Sequence, residues 1–165
     1  MTKKLPKQIT NIYEKCGFKI SDFQIEKESK EYAACRYTLN GFNIISRDAK
    51  ITPKKGGQFV TFWKRNGTIE PFCEADAIDF LVINVYLESL FGQFVFPRTV
   101  LLQKGIISTK LKEGKRAFRV YPSWYTQLNK LATETRKWQL EYFFEFNNET
   151  NIHKYKKLHS RNFYL

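Results

Sequence analysis

Apolar positions change their period along this chain, and the changes mark its elements. Ile9, Ile12, Tyr13 and Cys16 recur at intervals of 3 and 4, with Gly17 where a helix C-cap would sit. This spacing predicts a short amphipathic helix over residues 8–16. Residues 21–30 are mixed and charged and read as loop or a further helical turn. From residue 33 the period becomes 2, with Cys35, Tyr37 and Leu39 alternating with Arg36 and Thr38. Alternation of that kind predicts a strand. Asn40-Gly41 follows, and both central residues of a type I′ turn need positive φ, so a hairpin with a return strand over 42–50 is predicted.

The next segment, Thr52-Pro53-Lys54-Lys55-Gly56-Gly57, predicts a turn, because Pro cannot donate to a ladder and glycine permits unusual φ. Residues 58–65 predict a third strand, closed by Asn66-Gly67. Residues 80–87 form a nearly unbroken apolar run, the pattern of a central strand buried on both faces. Further strands are predicted over 92–96 and 116–121, with a short helix over 99–104 stopped by Gly105. Leu128, Leu131, Thr135, Trp138, Tyr142 and Phe146 fall on one stripe, which predicts a long C-terminal amphipathic helix over 126–146. From about residue 147 the chain turns polar and basic and reads as a fraying tail. No repeat or linker interrupts the pattern. The expectation is one α/β (α+β) domain over 1–165, with a central mixed β-sheet and flanking helices.

Charge sharpens this picture. The 165 residues carry a formal net charge of +12, and the excess is unevenly placed. Residues 66–97 contain no Lys or Arg but do contain Glu70, Glu74, Asp76, Asp79 and Glu88. Basic residues gather at the N-terminus, over 47–65, over 104–119 and over 154–161. Like charges repel and add nothing to folding, so such clustering points to an anionic partner, with phosphate foremost. The three cysteines, Cys16, Cys35 and Cys73, form no metal-binding spacing and no disulfide framework, in keeping with a reducing cytoplasm. No signal peptide or membrane span is readable.

The strongest feature is the stretch 47–65, with six basic residues and a single acid. It predicts a two-stranded ribbon carrying Arg47, Lys50, Lys54, Lys55, Lys64 and Arg65, with Thr52 and Gln58 as neutral hydrogen-bonding groups. Arg offers phosphate a planar fork and Lys a point charge. The plainer reading is a solvated sheet edge whose lysines block aggregation. A second cluster, Lys115, Arg116 and Arg119 beside Tyr121 and Trp124, extends the basic track. Aromatics interleaved with cations suit stacking on a single strand, although Tyr121-Pro122-Ser123-Trp124 reads more readily as packing.

Several of these segments resemble the MepB family. They are Arg47-x-x-Lys50-x-Thr52-Pro53-x-Lys55-x-Gly57-Gln58-Phe59-Val60 with Trp63-Lys64-Arg65, then Phe91-Gly92-Gln93-Phe94-Val95-Phe96-Pro97. Gly114-Lys115-Arg116-Ala117-x-Arg119-Val120-Tyr121-Pro122-x-Trp124 and Trp138-Gln139-x-x-Tyr142-Phe143 complete the match, with Glu28-Ser29 and Tyr32 at its opening. The family takes its name from a bacterial gene beside a multidrug efflux pump. The resemblance implies a restriction-endonuclease-like core. Fold alone does not carry function.

Endonuclease-like folds hold Mg²⁺ on an acid and on the acid of an acid-x-Lys pair on the next strand, with the Lys activating water. Asp48-Ala49-Lys50 with Glu31 or Asp79 is the matching candidate set here. Gln93 replaces a carboxylate in some such sites but has no Lys after it. No further metal or cofactor is expected, because His153 and His159 lack acid or Cys neighbours in sequence. Phosphate-loop, dinucleotide and serine-hydrolase motifs are absent. The leading expectation is non-catalytic nucleic-acid binding through the basic face. A Mg²⁺-dependent nuclease and a small-anion or nucleotide pocket beside the 104–119 segment are the alternatives.

Overall fold

The computed structural model describes residues 4–147 and 152–160. Its elements run α1 (Lys7–Lys15), β1 (Ile20–Ile25), a 3₁₀ turn (Lys30–Tyr32), β2 (Cys35–Leu39), β3 (Phe42–Asp48), β4 (Lys50–Ile51) and β5 (Gln58–Thr61). They continue with β6 (Lys64–Asn66), β7 (Thr68–Glu70), β8 (Phe80–Leu87), β9 (Leu90–Pro97), α2 (Arg98–Gln103) and β10 (Ala117–Val120). The chain closes with α3 (Lys130–Leu140), β11 (Phe143–Glu145) and α4 (Ile152–His159).

A six-stranded sheet in the order β1-β2-β3-β8-β9-β11 forms the centre. It is mixed: β3 and β8 run parallel and the other neighbours antiparallel. The Asn40-Gly41 hairpin forms as the sequence requires, with φ of 50° and 84°. Cys35 faces Ser46 and Leu39 faces Phe42 across it. Strand β8 is buried from Phe80 through Val85, as its nearly unbroken apolar run predicts.

Period-2 alternation divides the sheet residues between two cores. On one face Ile44, Phe80, Val82 and Val95 pack with Ile9 and Tyr13 of α1 and Tyr155 and Leu158 of α4. On the other, Ile45, Leu81, Ile83, Phe94 and Phe96 pack with Val60 and Phe62, Val120, and Val100 and Leu101 of α2. Val60 and Val120 belong to a second sheet, ordered β10-β5-β4. The layers are therefore helices, large sheet, then small sheet with α2.

Four expectations are corrected. Residues 126–146 do not form one helix. Asn129 caps α3 by accepting from the Ala132 amide at 2.8 Å, and α3 ends at Leu140. The open edge of β9 then recruits β11, where Phe143 lies opposite Phe94 and Phe144 opposite Gln93. Phe143 enters one core and Phe144 the other, a two-sided burial that a helix cannot give adjacent residues. Leu131, placed on the predicted stripe, is 77% exposed.

The mixed segment 21–30 contributes an edge strand, β1, instead of loop or helix, because it completes the hairpin's outer side. Residues 58–65 split into two strands. The ladder ends where the Phe62 amide meets Arg116 O at 2.7 Å, and β6 pairs with β7 in a separate hairpin. The tail re-forms as α4, because Tyr155, Leu158 and His159 share one buried side while Lys154, Lys156 and Lys157 face outward. Arg161, the last of the tail's basic residues, lies outside the described residues. Among the described residues, no helix is long and apolar enough to cross a membrane.

Candidate nucleic-acid interface

The basic ribbon is real but short. Lys50 lies opposite Phe59 and Ile51 opposite Gln58, and β10 flanks β5 on its other side with Arg119 opposite Phe59. Residues 52–57 join β4 to β5. Gly57 has φ of +74°, and a Cβ there would stand 2.5 Å from the Tyr121 ring and 2.8 Å from Val120 O. Only glycine brings the turn that close to β10.

Arg119 ties the turn down. Its guanidinium donates to Thr52 Oγ1 at 2.8 Å and to the carbonyls of Gly56, Lys55 and Gly57 at 3.1, 3.2 and 3.3 Å. Lys54 and Lys55 stand exposed on the anchored turn. Gln139 of α3 fixes the other side of β10, accepting from the Tyr121 amide at 2.8 Å and donating to Arg119 O at 3.0 Å. Between turn, strand and the start of α3 lies a cleft of about 370 Å³, lined by Lys54, Lys55, Arg119, Tyr121, Asn129 and Leu131 among others. Two basic segments that are distant in sequence thus meet at one concave surface.

Other predicted contact residues have different places. Arg47 is fully buried. It grips Glu26 with both terminal nitrogens, at 3.1 and 3.3 Å, and lies over the Phe62 ring. Strand alternation turns its side chain inward, so it offers phosphate no surface. Gln58 is also buried, donating to Tyr86 O at 2.9 Å across the two sheets. Lys64 pairs with Asp76 at 2.8 Å and Glu70 at 3.6 Å. Arg65 pairs with Glu28 at 2.6 Å, and Glu28 also accepts from Trp63 Nε1. Those bonds, from Arg65 first and Trp63 second, hold the Glu28 carboxyl below its usual range. Arg116 pairs with Glu113 at 2.8 Å. These acids oppose a phosphate's approach to Lys64, Arg65 and Arg116. Lys115 is exposed, and exposed Lys50 places its ammonium over the Tyr32 ring at 4.6 Å.

Of the nuclease candidates, Asp48 and Asp79 lie at opposite ends of β3. Asp48 is opposite Asn84 on the parallel pair. Asp79 is five residues before Asn84 and accepts from the Asn43 amide at 2.7 Å, at the other end of β3. Five strand residues separate the two carboxylates by about 16 Å. Glu31 is exposed on the 3₁₀ turn. Among the described residues, no three His, Cys, Asp or Glu side chains form a group able to hold a metal ion. Asp48 and Asp79 therefore do not share one Mg²⁺ site.

Asp48 and Gln93 join three residues that the sequence did not single out, Asn84, Ser46 and Tyr155. Asn84 donates to Asp48 Oδ1 at 2.9 Å and Ser46 Oγ at 3.4 Å, and accepts from Gln93 at 2.8 Å. Tyr155 of α4 in turn donates to Gln93 Oε1. This polar chain crosses inward-facing strand positions where apolar residues are the rule. Its readable signal is a lone amide, Asn84, inside the apolar run 80–87. Beside it Cys35 stays a thiol, its pKa pushed up to about 11 mainly by burial.

Comparison with known proteins adds identity to this geometry. The profile of the MepB-like family matches residues 26–145. The crystal structure of MepB superposes with a TM-score of 0.78 at 38% identity, covering 88% of this chain and all of that one. A bacterial homing endonuclease, I-Ssp6803I, aligns over 81% of this chain and 85% of its own at 16% identity, with a TM-score of 0.45. No curated protein matches the chain.

Proposed function

The chain belongs to the MepB-like family, and we propose that it binds nucleic acid by the phosphate backbone at the cleft between the 52–57 turn, β10 and α3. The observation that carries this reading is the meeting of Lys54, Lys55 and Arg119 at one cleft, from segments that the sequence keeps apart. Lys54 and Lys55 meet phosphate as point charges. Arg119 chiefly positions the turn that presents them. Tyr121, at the cleft wall, offers a ring face to an unstacked base. Exposed Lys115 and Lys50 extend the track. The recognition chemistry is common to DNA and RNA and involves no bond breaking, and its setting is the cytoplasm.

Binding of labelled single- and double-stranded oligonucleotides, followed by anisotropy across a salt series, tests it. Affinity that falls steeply with salt while the strands stay intact supports the reading, since each neutralised phosphate releases counterion. Absence of binding at low salt overturns it. Saturable binding of inorganic phosphate without binding of strands would replace it with a small-anion site.

A further inference from the structure

Two of the four basic clusters in the sequence, the N-terminal one and the tail, have no place in the cleft. The fold brings them together on the other side of the large sheet. Helices α1 and α4 pack there side by side, with the Tyr13 and Tyr155 ring centroids 6.2 Å apart and those of Phe18 and His159 5.2 Å apart. Their apolar sides are taken up by this packing. Amphipathic spacing turns the remaining positions outward. Over residues 7–19 and 152–160 there are six lysines, Lys7, Lys15, Lys19, Lys154, Lys156 and Lys157, all exposed, and one acid, Glu14.

The two clusters meet at Asn40. Its Oδ1 accepts from the Lys19 amide at 2.7 Å, and it shares a cavity of about 100 Å³ with Lys156, Phe18 and His159. The hairpin turn therefore holds the end of the N-terminal segment beside the last helix, and charges from opposite ends of the chain form one surface. Gathering like charges costs free energy and adds nothing to folding, so the surface is suited to an anionic partner.

We infer that the α1–α4 face is a second phosphate-backbone surface, so that one molecule holds two nucleic-acid segments on opposite sides of the large sheet. The face attracts by charge. Among the described residues the exposed large apolar side chains are Ile25, Ile51, Leu111 and Leu131, and none lies on either helix. A helix that settles into a lipid surface inserts apolar side chains, and those of α1 and α4 are in the core. Tyr13 and Tyr155 are also fully buried, which leaves no tyrosine ring on either helix to stack on an unpaired base. A double strand, with closely spaced phosphates and no open bases, is the matching partner, and this chemistry is common to DNA and RNA. The holding of two segments at once rests on the cleft reading; the helical surface does not.

A pull-down with the full chain tests the inference. A biotinylated DNA duplex is held on beads, and a second, fluorescent duplex is offered with the protein at low salt. The parent is expected to retain the fluorescent duplex. Lys154→Glu/Lys156→Glu/Lys157→Glu, at exposed positions, should keep its melting temperature and its binding to one duplex but lose retention of the second. The corresponding glutamine variant should weaken retention in the same direction. In Lys54→Glu/Lys55→Glu, a single duplex should still bind through the helical face. Reversing the three tail lysines as well should make the slope of log K against log salt shallower by about 2.7, the share of three phosphate contacts. Duplex RNA that displaces the fluorescent strand supports recognition of either backbone, and duplex RNA that does not narrows the partner to DNA. Absence of retention by the parent, or undiminished retention in the tail variant, overturns the inference and leaves the cleft reading in place. Loss of all duplex binding in Lys54→Glu/Lys55→Glu does the same. Loss of all duplex binding in the tail variant alone supports the helical face and overturns the cleft reading instead. Pelleting with phosphatidylserine vesicles while no duplex is retained overturns the inference in favour of a lipid surface.

Discussion

Arg47 and Glu26 form a two-pronged ion pair, with nitrogen to oxygen distances of 3.1 and 3.3 Å and the guanidinium fully buried. Arg36 approaches the same carboxylate at 3.6 Å from the outside. The pair joins β3 to the end of β1 while Arg47 stays packed on Phe62. A residue of the basic ribbon is thus a structural member of the core.

Removing one partner of such a pair leaves a buried charge uncompensated. Arg47→Ala is expected to lower unfolding free energy by about 3–5 kcal/mol. Urea denaturation should show an earlier midpoint with little change in slope. Arg47→Lys recovers only part of the loss, because an ammonium cannot span both carboxylate oxygens. Full stability in Arg47→Ala would contradict the role.

The cleft lysines act in the opposite way. Lys54→Glu/Lys55→Glu should leave the melting temperature nearly unchanged, since both side chains are exposed. Its oligonucleotide affinity should fall, and the slope of log K against log salt should become shallower by about 1.4–1.8, the share of two phosphate contacts. An unchanged slope would place binding elsewhere.

Arg119 links the two behaviours, because it holds the turn that carries the lysines. Arg119→Ala should cost about 1–3 kcal/mol. Hydrogen exchange should quicken at the amides of residues 54–57 more than in β8. Strand affinity should drop even though Lys54 and Lys55 remain. Protection at 54–57 equal to the parent would refute the anchoring role.

His159 gives the fold an acid-sensitive point. Its ring is buried among Tyr13, Phe18, Phe80 and Tyr155, and its Nδ1 bonds Tyr155 O at 2.8 Å. Burial lowers its pKa from 6.5 to about 4. The folded state therefore binds fewer protons than the unfolded state between those values. His159 contributes stability that is full above about pH 6.5 and is lost as pH falls toward 4. The loss amounts to roughly 3 kcal/mol at 1.4 kcal/mol per unit. Melting curves from pH 7 to 4 should show this decline, and His159→Phe should flatten it. An equal decline in that variant would assign the acid sensitivity to other groups.

The helical and strand periods marked α1, β2, β3, β8, β9, α2 and β10, and the Asn40-Gly41 turn was legible from its φ requirement alone. What misled was the stripe 126–146. Its spacing of 3 and 4 continued past Leu140, but Phe143 and Phe144 gain more by closing the edge of β9 than by extending a helix. Likewise, the tail's lysines concealed the buried row of Tyr155, Leu158 and His159. For the candidate sites, Lys54, Lys55 and Arg119 were readable as charge, whereas Asn84 and Ser46 were not readable as anything but minor breaks in apolar runs.

By itself the sequence determined the basic excess, the hairpin, the buried central strand and the family, because these depend on composition, local backbone preference and residue order. Tertiary structure alone decided which charges remain available. Arg47 and Arg65 have the same formal charge as Lys54, yet one is paired with Glu26 in the core and the other with Glu28 at the surface. Whether a cation meets an acid or a partner depends on which distant segment folds against it, and no local pattern encodes that.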